Sequence, residues 1–385
     1  MNKGEDRLHY MDNLRAIVML VGVFFHAALA YSSFFQDVWL SADTANSPVL
    51  DVVANFTHIF RMPLFFLIAG FFAALLVSRR GIGGLLKNRV KRVLLPLVIF
   101  LPLVTAGIIG PMLWAVHNVD NLSPFLRFIQ SMMSSGEPQQ SAPPSTIHLW
   151  FLYYLMFFYA LVWILGQASL APVKRFITNL SPPAALLLLP LCLVPGLFLG
   201  VVPYAAPEGF IPTLWAFGFF GLFFVYGYWL FDSMELVNAC ERYLWILLLA
   251  SAGLFVIFYR ALPAGFSFEY QNPPLLQRSI LILCTAYISV FMSLACLVLA
   301  RKWLDQRNAV MRYIADASYW IYIVHLPIVI AIQYWLLDQP GGWLYKFAVS
   351  SLTTMAICLL SYALLVRWSP IGWLLNGKRR PMWRG

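Results

Sequence analysis

Apolar runs of about 20 residues recur along the whole sequence, which is the length that crosses the hydrocarbon core of a bilayer as a helix. Of the 385 residues, 61% are hydrophobic and only 11% are charged. A soluble domain carries about 25% charged residues. The sequence therefore predicts an all-α fold, a polytopic bundle of membrane helices in which residues 1–385 form a single transmembrane domain.

Ten segments are predicted to span the membrane. They cover approximately residues 14–34, 51–77, 93–115, 148–167, 183–203, 212–231, 243–260, 278–300, 313–336 and 343–366. Lysine and arginine accumulate in the cytoplasmic loops of membrane proteins. With the N-terminus in the cytoplasm, 21 of the 26 Lys and Arg residues fall on the inner side and 4 on the outer side. This asymmetry and the even number of segments predict that both termini are cytoplasmic.

The net charge of +10 is distributed over short loops between the apolar runs. Nucleic-acid-binding proteins concentrate positive charge on one soluble face, so this distribution argues against nucleic acid and for contact with membrane lipids. The five cysteines do not have the spacing of metal ligands, and four of them lie within apolar runs. We therefore expect no disulfide framework, no zinc site and no cysteine nucleophile. We also predict no other metal site and no tightly bound cofactor.

The first segment contains two residues that are unfavourable in lipid, Arg15 and His26. At about 100° per residue, their separation of eleven positions brings both side chains to one helical face, about 16 Å apart along the axis. Arg15 alone would be explained as an anchor at the cytoplasmic interface, and His26 alone as a partner in a helix–helix hydrogen bond. Such residues are nevertheless candidates for function, because they face the protein interior.

Further polar residues are predicted at membrane depth. His58 and Arg61 lie three residues apart on one helical face, and Arg61 is too far inside its segment to reach water. Arg61 therefore requires an anion, a carbonyl group or a substrate as its partner. His325 is predicted at the depth of His26. His148 begins the fourth segment near Trp150, where an interfacial aromatic belt would also account for the tryptophan.

Arg89 and Arg92 follow the second segment on the predicted cytoplasmic side. Ordinary positive-inside charge or the binding of lipid headgroups would account for both residues. They could equally form a docking site for a phosphorylated donor from the cytosol. Arginines at the cytoplasmic mouth and histidines deeper in the membrane suit a donor on one side and an acceptor on the other.

These motifs together resemble the acyltransferase-3 family of membrane O-acyltransferases. The resemblance rests on Arg15 and His26, separated by ten residues, and on four stretches in the same order. These stretches are FFLIAGFF (Phe65–Phe72), RVKR (Arg89–Arg92), HLWFL (His148–Leu152) and SYWIYIVH (Ser318–His325). The resemblance covers nearly the whole chain and implies transfer of an acyl group from acyl-CoA to a hydroxyl.

Within the family, the stretches YMDNLRA and FTHIFRMPLFFLIAGFF are most similar to the branch that adds succinyl groups to osmoregulated periplasmic glucans. The resemblance to this branch implies succinyl-CoA as the co-substrate and a periplasmic glucan or oligosaccharide as the acceptor. It also implies a multi-pass protein of the bacterial inner membrane.

For this reaction we predict three catalytic residues, His26, His325 and Arg61. A histidine is a suitable general base for removing the proton of an attacking hydroxyl, and His26 is the first choice. Either Arg61 or His325 could stabilise the oxyanion, and Arg61 could instead bind the succinyl carboxylate. Whether transfer is direct or passes through an acyl-enzyme stays open.

Two further groups of residues are predicted to bind the substrates. The phosphates of acyl-CoA require cations, which Arg15, Arg89 and Arg92 would supply on the cytoplasmic side. Acceptor-binding or supporting roles are predicted for His58, His148 and Trp150. The alternative function is a transporter or flippase of a carbohydrate or acyl-linked substrate, because intramembrane His and Arg also form proton relays and substrate paths. A structural or sensor protein is a third hypothesis.

Overall fold

The described part of the chain is helical. A computed structural model describes residues 9–135, 144–165, 180–232, 234–267, 272–306 and 308–377. Within these ranges no β-strand forms, and the only β-type pairing is an isolated bridge between Ser145 and Gly209. The predicted all-α fold is therefore confirmed.

The helices of the described ranges are numbered in chain order. In chain order they are α1 (His9–Leu29), α2 (Pro48–Arg89), α3 (Leu95–Asn118), α4 (Pro124–Ser134), α5 (Trp150–Leu165), α6 (Pro182–Phe198), α7 (Leu214–Leu230), α8 (Glu235–Ala261), α9 (Leu275–Trp303), α10 (Ala309–Leu336), α11 (Trp343–Val366) and α12 (Pro370–Asn376). A π-helical turn, Val90–Leu94, joins α2 to α3. Short π-helical turns also occur within α7 and at the end of α11.

Seven helical stretches of the described residues are long and apolar enough to cross a membrane. One of them, Pro48–Asn118, contains two of the predicted segments, and the shorter apolar helices α6 and α7 correspond to two more. Each predicted segment thus coincides with a helix, which confirms a polytopic bundle. The number of crossings and the cytoplasmic location of the termini stay predictions, and residues 1–8 and 378–385 lie outside the described residues.

Four helices form the centre of the bundle. Helix α1 packs against α2, α9 and α10, and α2 also packs against α9. The other long helices surround these four: α3 and α11 contact α10, α5 and α7 contact α2, and α6 and α8 contact α9. The predicted catalytic residues His26, Arg61 and His325 belong to α1, α2 and α10, so they lie on central helices.

Helices α2 and α7 approach each other at two glycines. A Cβ atom on Gly70 would overlap the backbone of Phe224, and a Cβ atom on Gly227 would overlap the backbone of Leu67. Small residues allow such close contact between membrane helices, where van der Waals packing replaces the hydrophobic effect as the driving force. This contact fixes the position of α2, which carries His58 and Arg61.

Helix α2 changes direction at Gly81, whose φ of 68° and ψ of 175° are not helical. A side chain at this position would be strained, because a positive φ is unfavourable for residues with a Cβ atom. The second leg of α2 and the following π-helical turn carry Arg89 and Arg92.

The loop between α1 and α2, residues 30–47, is anchored by buried carboxylates at the end of the bundle that we call the loop face. Asp51 accepts hydrogen bonds from the hydroxyls of Ser32 and Ser33. Asp43 forms an ion pair with Lys346 of α11 at 2.7 Å, and both side chains are buried. Breaking such a pair leaves an uncompensated buried charge, so this contact holds the loop against α11.

Candidate active site

Two histidines of the central helices form a direct hydrogen bond. The Nδ1 atom of His26 lies 2.9 Å from the Nε2 atom of His325. The Nδ1 atom of His325 lies 3.0 Å from the carbonyl oxygen of Ile321 and 2.8 Å from that of Tyr322. A carbonyl oxygen can only accept a hydrogen bond, so Nδ1 of His325 carries a proton and donates it.

The protonation of His325 determines the tautomer of His26. A neutral His325 that is protonated at Nδ1 has a lone pair at Nε2, which accepts the hydrogen bond from Nδ1–H of His26. A neutral His26 therefore has its own lone pair at Nε2. Its half-buried side chain also lines a cavity on the loop face. His26 thus has the arrangement of a general base that is oriented by a second group.

His148 holds the part of α10 that orients His325. Its Nε2 atom donates to the carbonyl oxygens of Tyr322, at 2.9 Å, and Ile323, at 3.2 Å. The hydroxyl of Tyr322 donates in return to the carbonyl oxygen of His148, at 2.6 Å. The imidazole of His148 is buried against α10. Of the two roles predicted for this residue, structural support of the site therefore fits better than direct contact with an acceptor.

The backbone is strained next to His148. Ile147 has a φ of 50°, a value that is uncommon for a residue with a branched Cβ. Its N–H donates to the hydroxyl of Ser145 at 2.9 Å, which stabilises the turn. Such a conformation costs about 1–3 kcal/mol and clusters at functional sites. Here it lies immediately before His148 and close to Trp150.

Arg61 of α2 lies beside the part of α1 that carries His26. Its Cζ atom is 4.0 Å from the centre of the Phe25 ring, and its Nη1 atom would be 3.8 Å from a Cβ atom on Gly22. Arg61 is only 5% exposed, and its Nε and Nη1 atoms have no hydrogen-bond partner among the described residues. Within the described ranges no carboxylate forms an ion pair with Arg61. A buried cation with unused donors is suited to a ligand or transition state that carries negative charge.

His58, one turn before Arg61 on α2, reaches the loop between α6 and α7. Its Nε2 atom donates to the carbonyl oxygen of Tyr204 at 3.0 Å, and its ring stacks on Phe25 at 5.5 Å. The other ring nitrogen, Nδ1, is buried and has no hydrogen-bond partner in the described chain. His58 therefore connects α2 to this loop and lines the same cavity as His26.

The cavity on the loop face has a volume of about 430 Å³ and a mostly aromatic and aliphatic wall. This loop-face cavity is lined by His26, His58, Trp150, Trp39, Tyr204, Trp215 and Glu208, among others. The indole of Trp39 stacks on His26 with 5.9 Å between ring centres and 12° between planes. The volume of the loop-face cavity falls in the range of small-molecule sites, about 300–1,000 Å³.

Buried Gln333 of α10 fixes the orientation of Trp39. Its side-chain oxygen accepts hydrogen bonds from Nε1 of Trp39, at 3.2 Å, and from the hydroxyl of Ser41, at 2.6 Å. Its side-chain nitrogen donates to the carbonyl oxygen of Ala27 at 3.0 Å. Gln333 therefore joins the loop, α1 and α10 around His26.

Glu208 contributes the carboxylate of the loop-face cavity. Its backbone oxygen accepts hydrogen bonds from the N–H and the hydroxyl of Thr146, at 2.7 and 2.8 Å. Among the described residues, its Oε2 atom has only a long contact, 3.5 Å, with the hydroxyl of Ser145. Burial raises the pKa of this carboxyl group from 4.5 to about 7, and the Ser145 hydrogen bond opposes that change.

A second cavity, of about 340 Å³, lies at the opposite end of the bundle. The three predicted donor-binding residues, Arg15, Arg89 and Arg92, all line this arginine cavity. The guanidinium of Arg89 lies 4.8 Å from the ring centre of Tyr159, and Arg15 is 3.6 Å from a carboxylate oxygen of Asp12. The site is therefore a concentration of positive charge with aromatic support.

Only about one helical turn separates the two cavities. Trp150 lines the loop-face cavity, and the next residue, Phe151, lines the arginine cavity. On α10, Tyr322 lines the arginine cavity and Leu326 the loop-face cavity, four residues or about 6 Å further along the helix. His325 lies between these two positions. The histidine pair thus occupies the partition between the cavities.

The chain belongs to the acyltransferase-3 family, because residues 8–363 match this family, described as an acyltransferase domain. The protein is therefore a membrane O-acyltransferase. This family membership favours acyl transfer over the alternative function of a transporter or flippase. It is 26% identical to the glucans biosynthesis protein C of Salmonella typhi and to that of Salmonella typhimurium, over 97% of this chain and 95% of each relative. The protein of the same name from Salmonella gallinarum is 25% identical over the same shares. No solved structure matches the chain.

Sequence reasoning missed three residues around His26. Glu208, Trp39 and Gln333 were not among the candidates, although the structure places Glu208 and Trp39 in the cavity wall and Gln333 behind Trp39. Glu208 and Trp39 lie in loops without a periodic pattern. Gln333 carried the one usable signal, since a polar amide within an apolar helix requires a hydrogen-bond partner.

Proposed function

We propose that the protein transfers a succinyl group from cytosolic succinyl-CoA to a hydroxyl of a periplasmic glucan, in the bacterial inner membrane. The observation that carries this proposal is the chain of hydrogen bonds from the carbonyl of Tyr322 through His325 to His26. It leaves the lone pair of His26 at Nε2, and the His26 side chain lines the loop-face cavity. The names of the Salmonella relatives support glucan biosynthesis as the process, and the predicted orientation places the loop face in the periplasm.

In the proposed reaction, Nε2 of His26 removes the proton of the acceptor hydroxyl as its oxygen attacks the thioester carbonyl. A tetrahedral oxyanion forms, the carbon–sulfur bond breaks, and the leaving CoA thiolate takes the hydroxyl proton from His26 to give CoA-SH. The acceptor leaves with one new ester. His325 keeps accepting the hydrogen bond from Nδ1 of His26 and stabilises the transient imidazolium.

Arg61 is the better candidate for stabilising the oxyanion. Both ring nitrogens of His325 already have partners, so His325 has no N–H to offer. Arg61 instead has an Nε–H and an Nη1–H that no described residue accepts, close to the turn that contains His26. We assign His325 to orienting the base and Arg61 to the oxyanion, and the binding of the succinyl carboxylate by Arg61 is the alternative.

Donor binding is proposed in the arginine cavity. Arg15, Arg89 and Arg92 would hold the phosphates of the CoA nucleotide, because guanidinium groups form strong charge-assisted hydrogen bonds with phosphate. The flexible arm of CoA would then carry the thioester to the partition. Since the partition is about one helical turn thick, the acyl carbon would reach His26 while the nucleotide stays in the arginine cavity.

The proposal is tested with the full-length protein in nanodiscs, incubated with succinyl-CoA and a linear β-glucan oligosaccharide. Free CoA and the mass of the acceptor are measured for the wild type, His26→Ala and the control His117→Ala, whose side chain is exposed. We expect one added succinyl unit for the wild type and the control, and loss of the product for His26→Ala. Full activity of folded His26→Ala would refute the role of the base. Absence of product with succinyl-CoA would refute succinyl transfer, and absence of product with acetyl-CoA as well would refute acyl transfer to this acceptor.

A further inference from the structure

The loop-face cavity contains a carboxylate that the proposed reaction does not use. Besides histidine, tyrosine and tryptophan, the described lining of this cavity contains three residues with polar side chains: Asn55, Thr285 and Glu208. Asn55 donates to the carbonyl oxygen of Asp51, and Thr285 donates to that of Leu281. These two side chains therefore satisfy helix carbonyls, whereas the carboxylate of Glu208 has, within the described ranges, only its long contact with Ser145.

No cation compensates Glu208 among the residues with described positions, since the ion pairs there link other side chains. A partly buried carboxylate without a cation or strong donors is unfavourable. A glutamine of the same shape would avoid that penalty. The fold nevertheless holds Glu208 firmly, because its backbone oxygen accepts two hydrogen bonds from Thr146. A fixed carboxylate that lacks donors is suited to a ligand that brings donors.

Aromatic side chains around Glu208 indicate the class of that ligand. Tyr204 and Trp215, on the same loop and at the start of α7, are stacked with 4.9 Å between ring centres and 29° between planes. Trp39 and Trp150 form other parts of the wall. Aromatic rings pack well against the apolar C–H face of a sugar ring, while a carboxylate accepts hydrogen bonds from the hydroxyls at its edge.

We propose that Glu208 anchors the glycosyl acceptor, by accepting hydrogen bonds from hydroxyls of a sugar ring that lies against the aromatic wall of the loop-face cavity. Because His26 lines the same cavity, an anchored sugar would present another hydroxyl to the base. This inference rests on the proposed function for the identity of the acceptor, but the binding of the sugar is a separate event. Glu208 is then a determinant of acceptor affinity that takes no part in proton transfer.

The test compares the wild type, Glu208→Gln and the control Glu241→Gln, all full-length and in nanodiscs. Glu241 is exposed and pairs with Lys302, away from the cavity. Calorimetry measures the binding of a linear β-glucan oligosaccharide without donor, and kinetics give KM and kcat with succinyl-CoA. We expect Glu208→Gln to weaken acceptor binding and raise the acceptor KM by roughly 10–100-fold, because hydrogen bonds to charged groups are strong. The donor KM and the kcat at saturating acceptor should change by less than about threefold.

The two proposals fail in different ways. If the wild type binds the glucan more tightly than Glu208→Gln but forms no ester, the acyl-transfer proposal fails and the sugar site stands. Equal affinity of the wild type and Glu208→Gln for the glucan overturns the anchoring role, whether or not ester forms. Failure of the wild type to bind the glucan also overturns it. Normal gel filtration of Glu208→Gln in each case excludes loss of fold as the reason.

Discussion

His325 accepts a hydrogen bond from His26 at 2.9 Å while its other ring nitrogen donates to the backbone of its own helix. This arrangement fixes the tautomer of both rings without a carboxylate. In many hydrolytic enzymes an acidic side chain orients the catalytic histidine. In the proposed reaction a second histidine in its neutral form would orient His26 instead, which suits a site at membrane depth because it avoids a buried negative charge.

This relationship predicts different results for two substitutions of His325. His325→Gln keeps a side-chain oxygen that can accept from Nδ1 of His26, whereas His325→Ala removes the acceptor. We expect kcat to fall by about 10²–10⁴-fold in His325→Ala, the range of general-base contributions, and by clearly less in His325→Gln. Steady-state kinetics with saturating donor and acceptor measure the difference. Equal losses in the two variants would show that His325 acts otherwise than by orienting His26.

Arg61 yields a second prediction, which separates its two possible roles. Arg61→Lys keeps the charge but removes the planar arrangement of donors, so a role at the oxyanion predicts about a 10²-fold loss in kcat. That loss should be the same with acetyl-CoA and with succinyl-CoA, since both form the same oxyanion. Initial rates with each donor provide the measurement. A loss confined to succinyl-CoA would assign Arg61 to the carboxylate of the acyl group.

The helices and much of the candidate site could be predicted from the sequence. Length and hydrophobicity indicate the spans, and the high energy of charged groups in lipid singles out His26, Arg61 and His325. Partners across the bundle could not be predicted, because the pairing of His26 with His325 depends on how α1 packs against α10. Glu208 was missed for the same reason, since its position in the cavity depends on contacts between distant loops.

The arginine cavity predicts a selective effect on the donor. Arg89→Ala should raise the KM for succinyl-CoA by roughly tenfold or more, since it removes a cation from the proposed phosphate site. The KM for succinyl-pantetheine, which lacks the nucleotide phosphates, should stay unchanged. Arg127→Ala, which alters an exposed arginine of α4, is the matched control and should affect neither donor. An equal rise for both donors would indicate a structural role for Arg89.

Gln333 predicts an effect on stability. Gln333→Leu preserves the approximate volume but leaves the indole N–H of Trp39, the hydroxyl of Ser41 and the carbonyl of Ala27 without their partner. Each unsatisfied buried group costs about 1–3 kcal/mol, so we expect a clear fall in Tm. Intrinsic fluorescence during heating measures the transition. Thr57→Val, whose hydroxyl bonds only to carbonyls of its own helix, is the control and should have a small effect. An unchanged Tm for Gln333→Leu would mean that this network is not stabilising.

Glu208 predicts a change in the pH dependence of stability. Burial raises its pKa from 4.5 to about 7, so the folded protein binds more protons than the unfolded chain between these values. The contribution of this residue to stability is therefore greatest below pH 4.5 and is lost as the pH rises through about 7. Glu208→Gln does not titrate, and we expect it to be more stable than the wild type at pH 8 and nearly equal at pH 4.5.

The measurement is the Tm of both proteins in the same detergent at pH 4.5 and pH 8. For a chain of 385 residues, a relative gain of about 1 kcal/mol at pH 8 corresponds to roughly 1 °C in Tm. His26, His58 and Tyr204 line the same cavity and are unchanged in the variant, so the comparison largely cancels their contributions. Glu241→Gln should show no such pH-dependent difference. A variant that is more stable at pH 8 and yet binds the glucan more weakly would show that Glu208 is retained for the ligand at the expense of stability. An equal Tm difference at both pH values would contradict the raised pKa.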